Sequence, residues 1–181
     1  MTATRWPQVV DALYDRLLAT GQFRAAGADG PEDLPLLLDG PEIELTGDTT
    51  DTLLVIGATL DVDGEDHGTS GQSVATLGTV NRSRDDAGAV ICQAISQYGA
   101  MDLAGWTGDS RMRTLRTSAF AIVDAADAWL RANPDLGLTM PAGVPRMVAR
   151  IGDRIVPRQY QTTSGGAVCS VEFTVTYSTR V

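Results

Sequence analysis

Between Arg111 and Asn133 the chain reads RMRTLRTSAFAIVDAADAWLRAN, and this stretch limits what the rest can fold into. Leu115, Ala119, Ile122, Val123, Ala126, Trp129 and Leu130 recur at helical spacing, which predicts a helix with one apolar face. Its alanines favour the helix, and Ser110 or Asp109 can cap its start. Asn133-Pro134 stops it, because proline disfavours a helical residue before it. Burying such a face contributes on the order of 10 kcal/mol in gross terms. One helix cannot hide it alone, so a sheet has to lie beneath.

The strands for that sheet can be read along the chain. AVCSVEFTVTYSTRV at the end alternates Cys169, Val171, Phe173, Val175 and Tyr177 with Ser170, Glu172, Thr174 and Thr176, the period of a strand with two unlike faces. Before it, PRMVARIGDRIVPRQYQTT sets Arg146, Val148 and Arg150 against Met147, Ala149 and Ile151, a strand with a basic edge or face. TLLVIGA at 52–58 is an apolar run of strand length, expected to be covered on both sides. Leu36-Leu37-Leu38 is a shorter candidate that ends in the turn Asp39-Gly40-Pro41. SVATLGTVNR at 73–82 and AVICQAISQYG at 89–99 predict a long antiparallel hairpin that turns at Asp86-Ala87-Gly88. In its second arm Val90, Cys92, Ala94, Ser96 and Tyr98 lie on one side, Ile91 and Ile95 on the other.

A first helix spans Thr4 to Ala19, with Thr4 as N-cap, Pro7 in the first turn and Gly21 after the end. Trp6, Val10, Leu13, Tyr14 and Leu17 share a face that lies on the sheet or against a neighbouring subunit. Trp106, in the linker before the second helix, is expected to tuck against the sheet. Together these elements predict one domain over residues 1–181 of α/β (α+β) class. It is a mixed, mainly antiparallel sheet with two main helices packed on one face, plus a long β-hairpin. A chain of this length buries roughly 70% of its unfolded surface.

Charge is the least ordinary property. The net charge is -9 and every fixed side-chain cation is an arginine, since there is no lysine. Residues 1–81 hold 14 acids and 3 arginines, whereas 82–181 hold 9 acids and 11 arginines. From Asp29 to Asp66 there are 12 acids and no arginine. Such a surface argues against wrapping or reading nucleic acid, because phosphate contacts need clustered cations. It does not prevent duplex DNA from sliding past without being gripped. No segment approaches the ~18 consecutive apolar residues of a membrane span, and the start lacks the apolar core of a signal peptide. A soluble protein with no membrane partner is expected.

The residues that usually carry chemistry are sparse. Without lysine there is no phosphate-binding GxxxxGK and no Schiff base. The single histidine, His67, sits in a glycine-rich acidic loop poorly suited to hold an imidazole rigid. Cys92 and Cys169 fall inside strand-like runs and read as small buried hydrophobes, with no metal-binding cluster. LDVDGEDHGTSGQ at 60–72 invites a calcium loop, but Asp66 stands where glycine is needed and Gln72 where the final glutamate belongs. No enzyme activity, cofactor or metal is expected.

Taken from end to end, the chain resembles the tail terminator proteins of long-tailed, siphovirus-like bacteriophages, most of all those of actinobacterial phages. These are related in fold to head–tail joining and minor tail proteins. The resemblance rests on TRWPQVVDALYDRLLA, the DGP turn at Asp39–Pro41, LLVIG, AVICQAISQYG, RTSAFAIVDAADAWLRANPDLG and the closing GAVCSVEFTVTYSTRV, in that order. The stretches at 25–35 and 60–72 are longer than the pattern requires.

The resemblance implies a structural virion protein without a reaction. Its members form a homohexameric ring that caps the tail tube at the tail–neck junction, ends tube polymerisation and docks to the filled head. The implied partners are further copies of itself, the tail tube protein, the head-closure or connector protein, and DNA passing through the lumen without specific binding. Assembly would take place in the host cytoplasm. Long hairpins with free edges and no lysine guards suit a ring built from contacts that close. The hairpin residues Val74, Thr76, Val80, Arg82 and Arg84 are the candidates for meeting a neighbour or the tube. Asp61, Asp63, Glu65 and Asp66 are candidates for lining the channel or its rim, or else serve only to keep the surface soluble. A head-closure, adaptor or minor tail protein of the same neck is the nearer alternative. A small α/β enzyme or ligand-binding protein, with a deep polar pocket, is the farther one.

Overall fold

The computed structural model describes residues 6–26, 31, 33–40, 51–57, 74–77, 84–99, 110–139, 146–161 and 165–180. In chain order these form α1 (Trp6–Ala19), β1 (Arg24–Ala25), β2 (Leu36–Asp39), β3 (Asp51–Ile56), β4 (Val74–Leu77) and β5 (Arg84–Tyr98). After them come α2 (Ser110–Ala132), β6 (Val148–Gln161) and β7 (Ala167–Arg180). The strands make one mixed sheet in the order β1-β2-β3-β5-β7-β6, and β4 pairs with the start of β5. The β1–β2 and β2–β3 pairings are parallel, and every other pairing, β3–β5 included, is antiparallel.

Both helices lie on the same face. The predicted stripe of α2 is buried from Leu115 to Leu130, with Trp129 half-buried, against β5, β6 and β7. Val9, Val10, Leu13 and Leu17 of α1 join the same core, so its apolar face is satisfied within the chain. The indole Nε1–H of Trp6 donates to the Ala89 carbonyl at 3.3 Å and ties the start of α1 to β5.

β3 is buried from both sides, as an unbroken apolar run requires: Leu54 and Ile56 enter the helix-side core. Leu53 and Val55 enter a second cluster with Leu38, Ile95 and Val168. β5 and β7 form the spine, matched residue by residue from Asp85–Arg180 to Tyr98–Ala167. Val90, Cys92 and Ala94 face the helices and Ile95 the other side, as their alternation predicts. Met147, Ala149 and half-buried Ile151 likewise turn to the helix-side core, while Arg146, Val148 and Arg150 are exposed.

The hairpin differs from expectation. Asp86, Ala87 and Gly88 do not turn the chain; they lie inside β5, opposite Thr179, Ser178 and Tyr177. Asp86 and Ala87 also pair with Ala75 and Val74 of β4. Their turn propensity is a local preference, and ladder partners on both flanks outweigh it. The connection is 78–83 instead, which lies outside the described residues, as do Thr4, Trp106 and His67.

The end of α2 is closed by a tight turn. The Asn133 side chain donates to the Trp129 carbonyl at 3.0 Å, and Gly137 N–H donates to the Asp135 carboxylate at 3.0 Å. Leu136 adopts φ +56°, the left-handed region, and its side chain is fully buried. Immediately before, the Pro134 carbonyl accepts from Ala149 N–H at 2.6 Å, so this turn sets where β6 begins.

Candidate subunit interface

The hairpin residues proposed for contact are only partly placed. Val74 and Thr76 stand in β4, with Thr76 in register with Asp85, and Arg84 opens β5 opposite Leu77. Val80, Arg82 and the four acids Asp61, Asp63, Glu65 and Asp66 lie outside the described residues.

A second surface, only half legible in sequence, is the outer edge of the sheet. β6 is fourteen residues long and, among the described residues, has no partner on its far side in the strand order. A long bare edge invites pairing with any other chain. Three devices blunt this edge. Between Ile151, opposite Val175, and Ile155, opposite Phe173, β6 advances four residues while β7 advances two, which makes a bulge. Gly152 in that bulge lies so close to β7 that a Cβ would sit 2.5 Å from Thr174 Oγ1. Pro157, opposite Val171, has no N–H for the ladder and therefore stands where that group would face outward. Ala149 spends its outward N–H on Pro134.

Continuous backbone pairing of a further strand along the outer edge of β6 is thus hindered, and its side chains remain available. Val148 is 50% and Ile155 43% exposed, and Arg150, Arg154 and Arg158 are exposed along the same strand with Asp153 the one acid among them, while Arg146 is exposed two residues before the strand begins. Arg158 is near the Glu172 carboxylate, at 3.8 Å, a distance that binds weakly on a wet surface. Sequence reading found Arg146 and Arg150. Gly152 and Pro157 inside a strand run were the available signs of the bulged, edge-type strand.

The face away from the helices is apolar at its centre and carries three buried polar residues, Gln93, Gln97 and Ser170. Both cysteines are buried and free. Burial pushes the Cys92 thiol up to about 12, against a hydrogen bond to the Gly57 backbone that lowers it. Cys169 is also raised by burial, offset in part by Arg116 and Gln159. Neither is poised as a nucleophile. An open hollow of about 330 Å³ lies where the two helices end, lined by Arg16, Ala19, Thr20, Trp129, Asn133 and Gly137. Its lining residues offer the Arg16 guanidinium, the Thr20 hydroxyl, the Asn133 amide and the Trp129 indole as polar side chains. Among the described residues no group of three His, Cys, Asp or Glu could hold a metal, and no helix is long and apolar enough to cross a membrane.

No protein-family model matches the chain, and no curated protein matches it.

Proposed function

We propose that this chain is a structural protein of a long-tailed bacteriophage virion, a tail terminator. It forms a closed ring of identical copies that caps the tail tube, ends its polymerisation and joins the tail to the head–neck connector. The observation that carries this reading is that the segments bearing the resemblance fold together: α1, β3, β5, α2 and β7 are parts of one sheet and one helix layer. Support also comes from β6, a long edge blunted against open-ended strand addition yet carrying exposed apolar and basic side chains. Acids of the 39–66 region, Asp61, Asp63, Glu65 and Asp66 among them, would repel DNA phosphates over the ~8 Å screening length at physiological salt and keep the passage from gripping its cargo.

The test is genetic and visual. Phage lacking this chain should make tail tubes of uncontrolled length that do not join filled heads, and supplying the protein should restore uniform tails in electron micrographs. Normal tails without it overturn the reading. Tubes of uniform length that fail only at head joining would instead move the chain to a neighbouring ring of the neck.

A further inference from the structure

Two kinds of exposed side chain meet on the outer strand. Val148 and Ile155 are the exposed large hydrophobic residues among the described ones, and both stand on β6. Arg150 and Arg154 lie between them in the chain, and Arg146 precedes the strand. None of these three arginines is in an ion pair among the described residues. Arg158 extends the row. Arg150 stands opposite Thr176 and Arg158 opposite Ser170, so the row runs along about six residues of β7, roughly 20 Å. Aliphatic side chains left in water beside unneutralised guanidiniums mark a protein contact, where arginine is enriched among the residues that matter most.

We infer that β6 docks an acidic face of a different protein, side chain to side chain, and that this face is the end of the tail tube. Planar guanidiniums take carboxylates through paired N–H donors, and Val148 and Ile155 supply the apolar part of the contact. The bulge at Gly152 and the missing N–H of Pro157 keep the partner from adding to the sheet as a further strand. Duplex DNA fits this strip less well. Phosphates gain nothing from exposed Val148 and Ile155, and Asp153 and Glu172 beside the arginines repel them. A second copy offers no matching face among the described residues, since Asp11 and Asp15 lie on the side of α1 away from the sheet, beside exposed Arg16. The inference rests on the terminator reading and adds which surface meets the tube and what chemistry the tube must present.

Tail tubes made by phage lacking this chain are the probe, and two variants of the full chain test the surface. The charge variant is Arg146→Glu, Arg150→Glu and Arg154→Glu, which leaves the Arg158–Glu172 pair intact. The apolar variant is Val148→Ser and Ile155→Ser. All these positions are exposed, so circular dichroism, melting temperature and self-association should match the parent. The parent should co-sediment with the tubes, and less so as salt rises from about 50 to about 500 mM. The charge variant should bind roughly 100-fold more weakly and the apolar variant roughly 10-fold. If the charge variant binds tubes like the parent, or loses self-association instead, the surface assignment is wrong and the terminator reading stands. The same follows if parent binding ignores salt, or if a short DNA duplex binds the parent and not the charge variant. If the parent itself does not bind the tubes, the terminator reading falls with it.

Discussion

Tyr177 of β7 lies across Gly88 of β5, and the two are direct cross-strand partners. A Cβ built on Gly88 would come 2.5 Å from the Tyr177 hydroxyl oxygen and 2.7 to 2.8 Å from two ring carbons. Tyr177 is 2% exposed, so moving its ring aside means displacing packed core. Gly88→Ala should therefore cost about 1–3 kcal/mol through overpacking, although alanine is otherwise the better strand residue. Urea unfolding checks this. Gly88→Ala combined with Tyr177→Phe should recover little, because ring carbons as well as the hydroxyl oppose the new methyl.

Phe173 is among the largest fully buried side chains and stands at the middle of the spine, opposite Cys92 and Ile155. Phe173→Ala should destabilise by about 3–5 kcal/mol, the range for an aromatic lost from a packed core. Val148→Ala, half exposed on the edge, should change stability by less than about 0.5 kcal/mol. The contrast, measured in one denaturation series, separates core from docking surface on the same sheet.

Leu136 combines a left-handed backbone with a buried side chain. Leu136→Ala should cost about 2–4 kcal/mol in lost burial while keeping the backbone strain. Leu136→Gly loses the same burial but relieves roughly 1 kcal/mol of that strain. Glycine should thus be at least as stable as alanine here, the reverse of their usual order. Thermal melts of the pair decide it.

The Cys92 thiol has a folded pKa of about 12 against an ordinary value of 9.0. Below pH 9 both states keep the proton and the thiol makes no pH-dependent contribution. Between pH 9 and 12 the unfolded chain releases it while the folded chain retains it, so stability falls as pH rises, on the order of 1 kcal/mol per unit. Other groups titrate there too. The difference in pH slope between the parent and Cys92→Ala isolates the thiol, and it should be seen above pH 9 and vanish below it.

Both helices, β3 and β7 were legible because each writes its environment into a local period. The α2 stripe recurs at helical spacing, β7 alternates strictly, and β3 is apolar throughout because both its faces are covered. Asp86-Ala87-Gly88 misled because turn chemistry is local, whereas the room that Gly88 makes for Tyr177 depends on a residue 89 positions later. The parallel pairing of β1, β2 and β3 has no period of its own, since partner choice is settled across the sheet. On β6 the arginines were readable, but the extra residues of the bulge appear only when Ile151 and Ile155 are set against β7. Of the proposed contact residues, Val74, Thr76 and Arg84 received a strand address, and the four loop acids lie outside the described residues.

Ring formation on a tail tube is tested most directly by the mass of what the purified chain adds to tube ends. Tubes assembled from the tail tube protein with this chain present should stop growing and gain one collar per capped end. Six copies of 19.1 kDa amount to about 115 kDa per collar, a stoichiometry that the resemblance supplies. Tubes of unchanged length distribution with no added mass at their tips, alongside a chain that stays monomeric or stops at a dimer, would contradict it.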